Sequence, residues 1–190
     1  GSKKKDTLAI HNGADDNASG VSALLSILEE LHQNKTAPKR SIIFISFSAE
    51  EEGLLGSKYF VNHLPVAKSA VKVMINMDMV GRLNDKRELY MGGAGTFPGG
   101  VELMKKLGEG SGLNPIVFAG DVGGSDHVTF YKNDISAIGL HTGGHPQYHT
   151  PEDDTALINS EGGILVSQYI YNALTAIANY DQPLIFIKQN

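Results

Sequence analysis

Three groups of carboxylates mark this chain. Asp15 and Asp16 sit inside Gly13-Ala14-Asp15-Asp16-Asn17-Ala18-Ser19-Gly20, and Glu50-Glu51-Glu52 follows the apolar run Ser41-Ile42-Ile43-Phe44-Ile45-Ser46-Phe47. Asp78 is the lone charge in Met74-Ile75-Asn76-Met77-Asp78-Met79-Val80. A carboxylate at the end of a buried strand is costly to desolvate unless a cation or hydrogen bonds compensate it. Acids repeated at such places therefore point to a metal site. Each also has a plainer reading: Asp15-Asp16 as a turn or helix cap, Glu50-Glu51-Glu52 as a charged first turn ahead of Gly53. Of the seven histidines, His149 stands out, because its loop Gln147-Tyr148-His149-Thr150-Pro151-Glu152-Asp153 brings Asp153 near enough to orient the imidazole. His32 and His63 fall on predicted helices and read as surface residues. Ser125-Asp126-His127 has the residue types of a hydrolytic triad, but consecutive residues rarely converge as one and no Gly-x-Ser-x-Gly elbow is present. That motif reads as supporting structure.

The elements that must hold these residues alternate in type. Asn17 to about Asn34 carries Val21, Leu24, Leu25, Ile27, Leu28 and Leu31 on one stripe, which is helical spacing, with Asn17 or Ser19 as its cap. After a polar loop from Lys35 to Arg40, Ser41 to Phe47 predicts a strand buried on both faces. Gly53 to Leu64 reads as a helix and Ala70 to Val80 as a second buried strand. Beyond them lie a strand near Glu88 to Met91, a helix near Gly99 to Ser111, a helix near Asp126 to Lys132, a strand near Ser136 to Leu140 and a last helix from about Ser160 to Tyr180. Strands alternating with helices predict a layered α/β sheet. In open sheets of this kind ligands gather beyond the carboxyl ends of the strands, where Asp16, Glu50, Glu51 and Asp78 all fall.

Composition narrows the partners. The 190 residues, 41% of them hydrophobic, suit one domain over residues 1–190 with a core large enough to stand alone. A net charge of -5, with no basic block beyond Lys3-Lys4-Lys5, argues against nucleic acid or an anionic membrane as a partner. No apolar stretch approaches the roughly 20 residues that span a bilayer. The absence of cysteine excludes disulfides, thiolate ligands and a cysteine nucleophile. Gly1-Ser2 reads as a cloning remnant, so the native beginning is expected to lie upstream.

Taken together, Gly13 to Gly20, Ala49-Glu50-Glu51-Glu52-Gly53-Leu54-Leu55-Gly56-Ser57, Asn76-Met77-Asp78, Gly124-Ser125-Asp126-His127 and Tyr148-His149-Thr150-Pro151 resemble the zinc aminopeptidase family that contains secreted bacterial leucyl aminopeptidases, glutamate carboxypeptidase II, the transferrin receptor and glutaminyl cyclases. The motifs follow the family's order across most of the chain. The resemblance implies a three-layer α/β/α sandwich with a central, mostly parallel (mixed) sheet. It also implies that Asp16 bridges two zinc ions, that Glu51 and His149 complete one site, and that Asp78 belongs to the other. Glu50 is then the general base and Tyr148 the donor to a developing oxyanion, acting on peptides with a free N-terminus. The family places a cis peptide bond directly after the bridging aspartate, here Asp16 to Asn17, and the resemblance implies an extracytoplasmic (periplasmic or secreted) location for this chain.

The residue types suit this chemistry, since zinc accepts carboxylate and imidazole, and paired metals share a carboxylate while activating one water. One departure stands out: the family's upstream His-x-Asp ligand motif has no counterpart before Gly13, and His11 lacks an Asp two places on. The expectation is an N-terminally truncated catalytic domain, with two zincs in the complete protein and at most one held well here. Two alternatives stay open. One is a single-zinc acyltransferase like glutaminyl cyclase, although that pocket uses tryptophan and this chain has none; the other is a noncatalytic, peptidase-like binding domain.

Overall fold

The computed structural model describes residues 2–4, 6, 8–34 and 37–189. Its centre is a four-stranded sheet in the order β1-β4-β2-β3, built from β1 (Val73–Met77), β2 (Glu88–Gly92), β3 (Asn114–Val117) and β4 (Ser136–His141). β1 runs parallel to β4, with Ile75 opposite Ile138, and β2 runs parallel to β3, with Met91 opposite Val117. β4 and β2 meet antiparallel, with Leu140 opposite Met91, so the sheet is mixed.

Side chains alternate across a strand, and here they divide the core in two. Val73, Ile75 and Met77 of β1, with Ile138 and Leu140 of β4, face the larger cluster. There they meet Ile27 of α1 (Gly20–Gln33), Met104 of α3 (Gly100–Gly108) and Tyr169 and Ile170 of α5 (Ser160–Ala178). Met74 and Ala137 face the other way, towards Val61 of α2 (Leu55–Asn62) and Phe130 of α4 (His127–Lys132). Helices thus cover both faces, giving three layers. No helix among the described residues is long and apolar enough to cross a membrane.

Two expectations need correction. The run Ser41 to Phe47 forms no ladder: Ile43 is 53% exposed, and an apolar cavity of about 470 Å³ is lined by Phe44 and Phe47 together with Val73 and Ile75. β-branched composition favours burial but does not supply a pairing partner, and a strand exists only with one. Conversely, β3 was not foreseen because it opens Asn114-Pro115. As the edge strand it tolerates a residue with no N–H to give.

The start of α1 is set by Asn17, whose Oδ1 accepts the Gly20 N–H at 3.0 Å and the Met79 N–H at 3.2 Å. Its Nδ2 donates to Met77 O at 2.9 Å. One amide therefore caps the helix and fastens it to the end of β1. Gly20 permits that approach, because a Cβ there would stand 2.4 Å from Asn17 Oδ1 and 2.5 Å from Met77 O. Gly20→Ala is expected to lower stability by about 1–3 kcal/mol, the usual penalty of overpacking, read as a lower urea midpoint. Ser26→Ala, at an exposed position on the same helix, should stay close to the parent. Equal midpoints for Gly20→Ala and the parent would show that this contact is not constraining.

Candidate metal centre

The acidic loop is held by hydrogen bonds between side chains and backbone groups. Asp15 is 0% exposed, and its Oδ1 accepts the Gly81 N–H at 2.7 Å. Ser19 Oγ donates to Asp15 O at 2.7 Å and accepts the Val80 N–H at 3.0 Å. Asp153, 2% exposed, accepts the N–H groups of both Asp15 and Asp16 on Oδ2 at 3.0 Å each, and the Arg82 guanidinium donates to its Oδ1 at 2.8 Å. Asp153 was expected to orient His149; instead both of its oxygens are committed to the acidic loop and to Arg82. Asp15 is likewise turned inward, which leaves Asp16 as the carboxylate of the pair that faces the cavity. The Asp16–Asn17 peptide bond is cis.

Asp16, Glu51 and His149 come together, with one ligand atom of each lying within 4.8 Å of the others. His149 Nε2 stands 3.1 Å from Asp16 Oδ2 and 2.9 Å from Glu51 Oε1. Donors on one tetrahedral zinc at about 2 Å stand roughly 3.4 Å apart, so this set fits the ion with little movement. Glu50, Asp78 and Tyr148 line the same cavity of about 200 Å³ without joining that cluster. Asp78 Oδ1 is buried with no hydrogen-bond partner among the described residues, as expected of a carboxylate whose natural partner is a cation. His11, by contrast, is exposed and contacts Ser2 Oγ and Ala9 O.

The electrostatics agree with the geometry. Burial, then Asp78 and Glu51, raises the Asp16 pKa to about 7. Burial, then Asp78 and Asp126, raises Glu50 to about 7 as well. Asp78 is raised chiefly by burial. Burial, then the charge of Asp16, pushes the Tyr148 hydroxyl up, so it stays protonated and able to donate. Such crowding of buried like charges is a mark of functional sites.

Ser125, Asp126 and His127 do not form a relay. Asn76 Nδ2 donates to Ser125 Oγ at 2.9 Å and lies 3.4 Å from His127 Nδ1, while Asp126 Oδ1 has no hydrogen-bond partner among the described residues. Burial, followed by His141, lowers the His127 pKa to about 4, so it is neutral. His145 Nε2 lies 3.2 Å from Asp15 Oδ2 but is misaligned, so the contact is close without being a hydrogen bond. Asn17 is the cap that the sequence suggests and Asp15 one of the acid pair, but their bonds to Met77, Met79 and Gly81 were not foreseen, nor was Arg82 as a support. Asn17 follows the acid pair directly, a position open to inspection; nothing in the order of residues shows that Arg82 reaches Asp153.

A layered α/β sheet thus carries two acids and an imidazole that converge as a donor set able to hold a divalent metal ion. The model of peptidase family M28 matches residues 5–173, and the chain belongs to that family. It is 34% identical over 183 residues to aminopeptidase YwaD of Bacillus subtilis, covering 89% of this chain and 39% of that protein. A solved zinc aminopeptidase from Bacillus subtilis superposes with a TM-score of 0.78 at 29% identity, over 97% of this chain and 47% of that one. The glutaminyl cyclase of Porphyromonas gingivalis shares the fold, with a TM-score of 0.65 at 23% identity over 86% of this chain and 63% of that one. The chain spans less than half of either aminopeptidase.

A carboxyl group whose folded pKa is raised holds its proton more tightly than in the unfolded chain. Raising the pH from the ordinary carboxylate range through about 7 therefore removes stability. The buried histidines act in the opposite sense, since His127, His141 and His145 resist protonation in the fold and cost stability as the pH falls. The carboxyl contribution is therefore read as a difference: on going from pH 8 to pH 5 the urea midpoint of the metal-free parent should change more favourably than that of Asp16→Asn. Zinc added to the parent at pH 8 should raise its midpoint. An identical pH dependence in parent and variant would contradict this electrostatic picture.

Proposed function

We propose that this chain carries the catalytic centre of a zinc-dependent aminopeptidase. The convergence of Asp16, Glu51 and His149, with Glu50 beside them, carries the reading. Asp16, Glu51 and His149 would hold a zinc ion, which would supply Lewis acidity towards a scissile carbonyl and a water. Glu50, which lines the cavity outside the ligand set, is placed to accept the water proton and return it to the leaving amine. Tyr148 donates to the oxygen that gains charge in the transition state. Asp78 and the acidic rim attract the substrate's free ammonium, which accounts for action at a peptide's N-terminus. Among the described residues Asp16, Glu51 and His149 form the one group whose ligand atoms meet, which supports a reading with one zinc held well and Asp78 outside that set.

A single-zinc cyclase is the second reading, favoured by the same Asp-Glu-His set. Turnover of aminoacyl anilides against cyclisation of an N-terminal glutaminyl peptide separates the two, and a noncatalytic domain would do neither.

Adjacency of the two glutamates makes the assignment testable. Glu50→Gln should keep zinc and lose about 10²–10⁴-fold in turnover, whereas Glu51→Gln should weaken zinc itself by about 10–100-fold or more. Zinc content measured beside anilide hydrolysis decides; equal zinc loss in both variants would rule out Glu50 as the base.

A further inference from the structure

Arg82 touches neither the cavity-facing ligand atoms nor the place of the substrate, yet one guanidinium reaches both ligand-bearing segments. Its Nη1 donates to Gln147 Oε1 at 2.8 Å, two residues ahead of His149, and its Nη2 donates to Asp153 Oδ1 at 2.8 Å. The other oxygen of Asp153 holds the amides of Asp15 and Asp16. The backbone of Arg82 is itself anchored, since its N–H donates to Thr142 Oγ1 at 3.2 Å and that hydroxyl donates to Met79 O at 2.9 Å.

The side chains of Arg82 and Asp153 keep 12% and 2% of their exposure, and Arg82 Nε is buried with no hydrogen-bond partner among the described residues. An ion pair so desolvated and incompletely satisfied is a poor source of net stability, because apolar residues of similar volume often do as well. What the guanidinium does supply is geometry: a rigid plane that donates in two fixed directions at once, which an ammonium does not reproduce.

We propose that Arg82 is a positioning residue of the metal centre. Through Gln147 and Asp153 it sets the turn bearing His149 against the loop bearing Asp16, so that His149 Nε2 and Asp16 Oδ2 stand 3.1 Å apart before a cation arrives. This rests on the zinc centre proposed above, and the test separates the two.

Zinc affinity of the full chain, by competition with a chromophoric chelator, is measured together with amide hydrogen exchange of the metal-free protein, for Arg82→Met, Arg82→Lys and Gln147→Leu. Arg82→Met is expected to weaken zinc about 10–100-fold, the range for contacts that orient metal ligands. It should also speed exchange at Asp15, Asp16 and residues 145–150 together. Arg82→Lys should recover part of the affinity through a single acceptor. Gln147→Leu, at a half-buried position, should lose less and loosen the 145–150 turn. Unchanged zinc affinity in Arg82→Met, or exchange that quickens in one segment and not the other, overturns the proposal. If Arg82→Met does not fold, unchanged affinity in Gln147→Leu rejects it. If the parent binds no zinc, the metal reading fails, and exchange in the metal-free variants still decides whether Arg82 couples the two segments.

Discussion

Like-charge crowding is the constraint around which this molecule is arranged. Asp16, Glu50, Glu51 and Asp78 line one cavity of about 200 Å³, where burial first, and then the charge of neighbouring carboxyls, raises Asp16 and Glu50 to about 7. Such an arrangement does not assemble by attraction; it is imposed by hydrogen bonds made elsewhere. Asp15 and Asp153 provide them by accepting backbone N–H groups of Gly81, Asp15 and Asp16. A hydrogen bond to a charged acceptor is worth about 1.5–3 kcal/mol, so several together can hold acids that would otherwise move apart.

The segment from Met77 to Arg82 is where that imposition is concentrated. Met77 and Met79 are clamped by Asn17, Val80 by Ser19, Gly81 by Asp15, and Arg82 by Asp153 and Gln147. Asp78 lies in the middle, its N–H bonded to Leu140 O of the neighbouring strand. The chain leaving β1 therefore presents one acid to the cavity and fastens the loops carrying Asp16 and His149. Here the sheet transmits order to the site through short polar links, while the apolar core behind it fixes only where β1 ends.

This division explains what was legible in advance. Periodicity showed α1, α3 and α5 and the strands β1, β2 and β4, because each buries a stripe or an alternate set of side chains that leaves a mark in sequence. The acids Asp16, Glu50, Glu51 and Asp78 were legible from their places after apolar runs and do line one cavity, while Tyr148 and the ligand role of His149 came through the family's motifs; Tyr148 lines that cavity and His149 meets Asp16 and Glu51. Pairing was not legible. Ser41 to Phe47 has a strand's composition and no ladder, while the proline-bearing β3 has a ladder and little of the composition. Nor was the direction of a polar side chain: Asp153 was read as a partner for His149, yet its oxygens serve amides at residues 15 and 16 and a guanidinium at residue 82. Those bonds span 71 to 138 positions, and no local rule reaches so far.

The two sides of the site are anchored unequally, and that bears on what a bound cation does. Asp16, Asp78 and His149 belong to the stitched side. Glu50 and Glu51 arrive from the run without a ladder, through a turn held by Gly53 N–H and Leu54 N–H to Glu50 O and by Gly56 N–H to Ser48 O. Beyond it, α2 reaches α4 through Ser57 Oγ donating to Thr129 Oγ1 at 3.1 Å. Glu51 is 45% exposed in its side chain and meets His149 across the gap between the two sides. A zinc ion shared by Asp16, Glu51 and His149 would replace repulsion across that gap with attraction and tie the less anchored segment to the more rigid one.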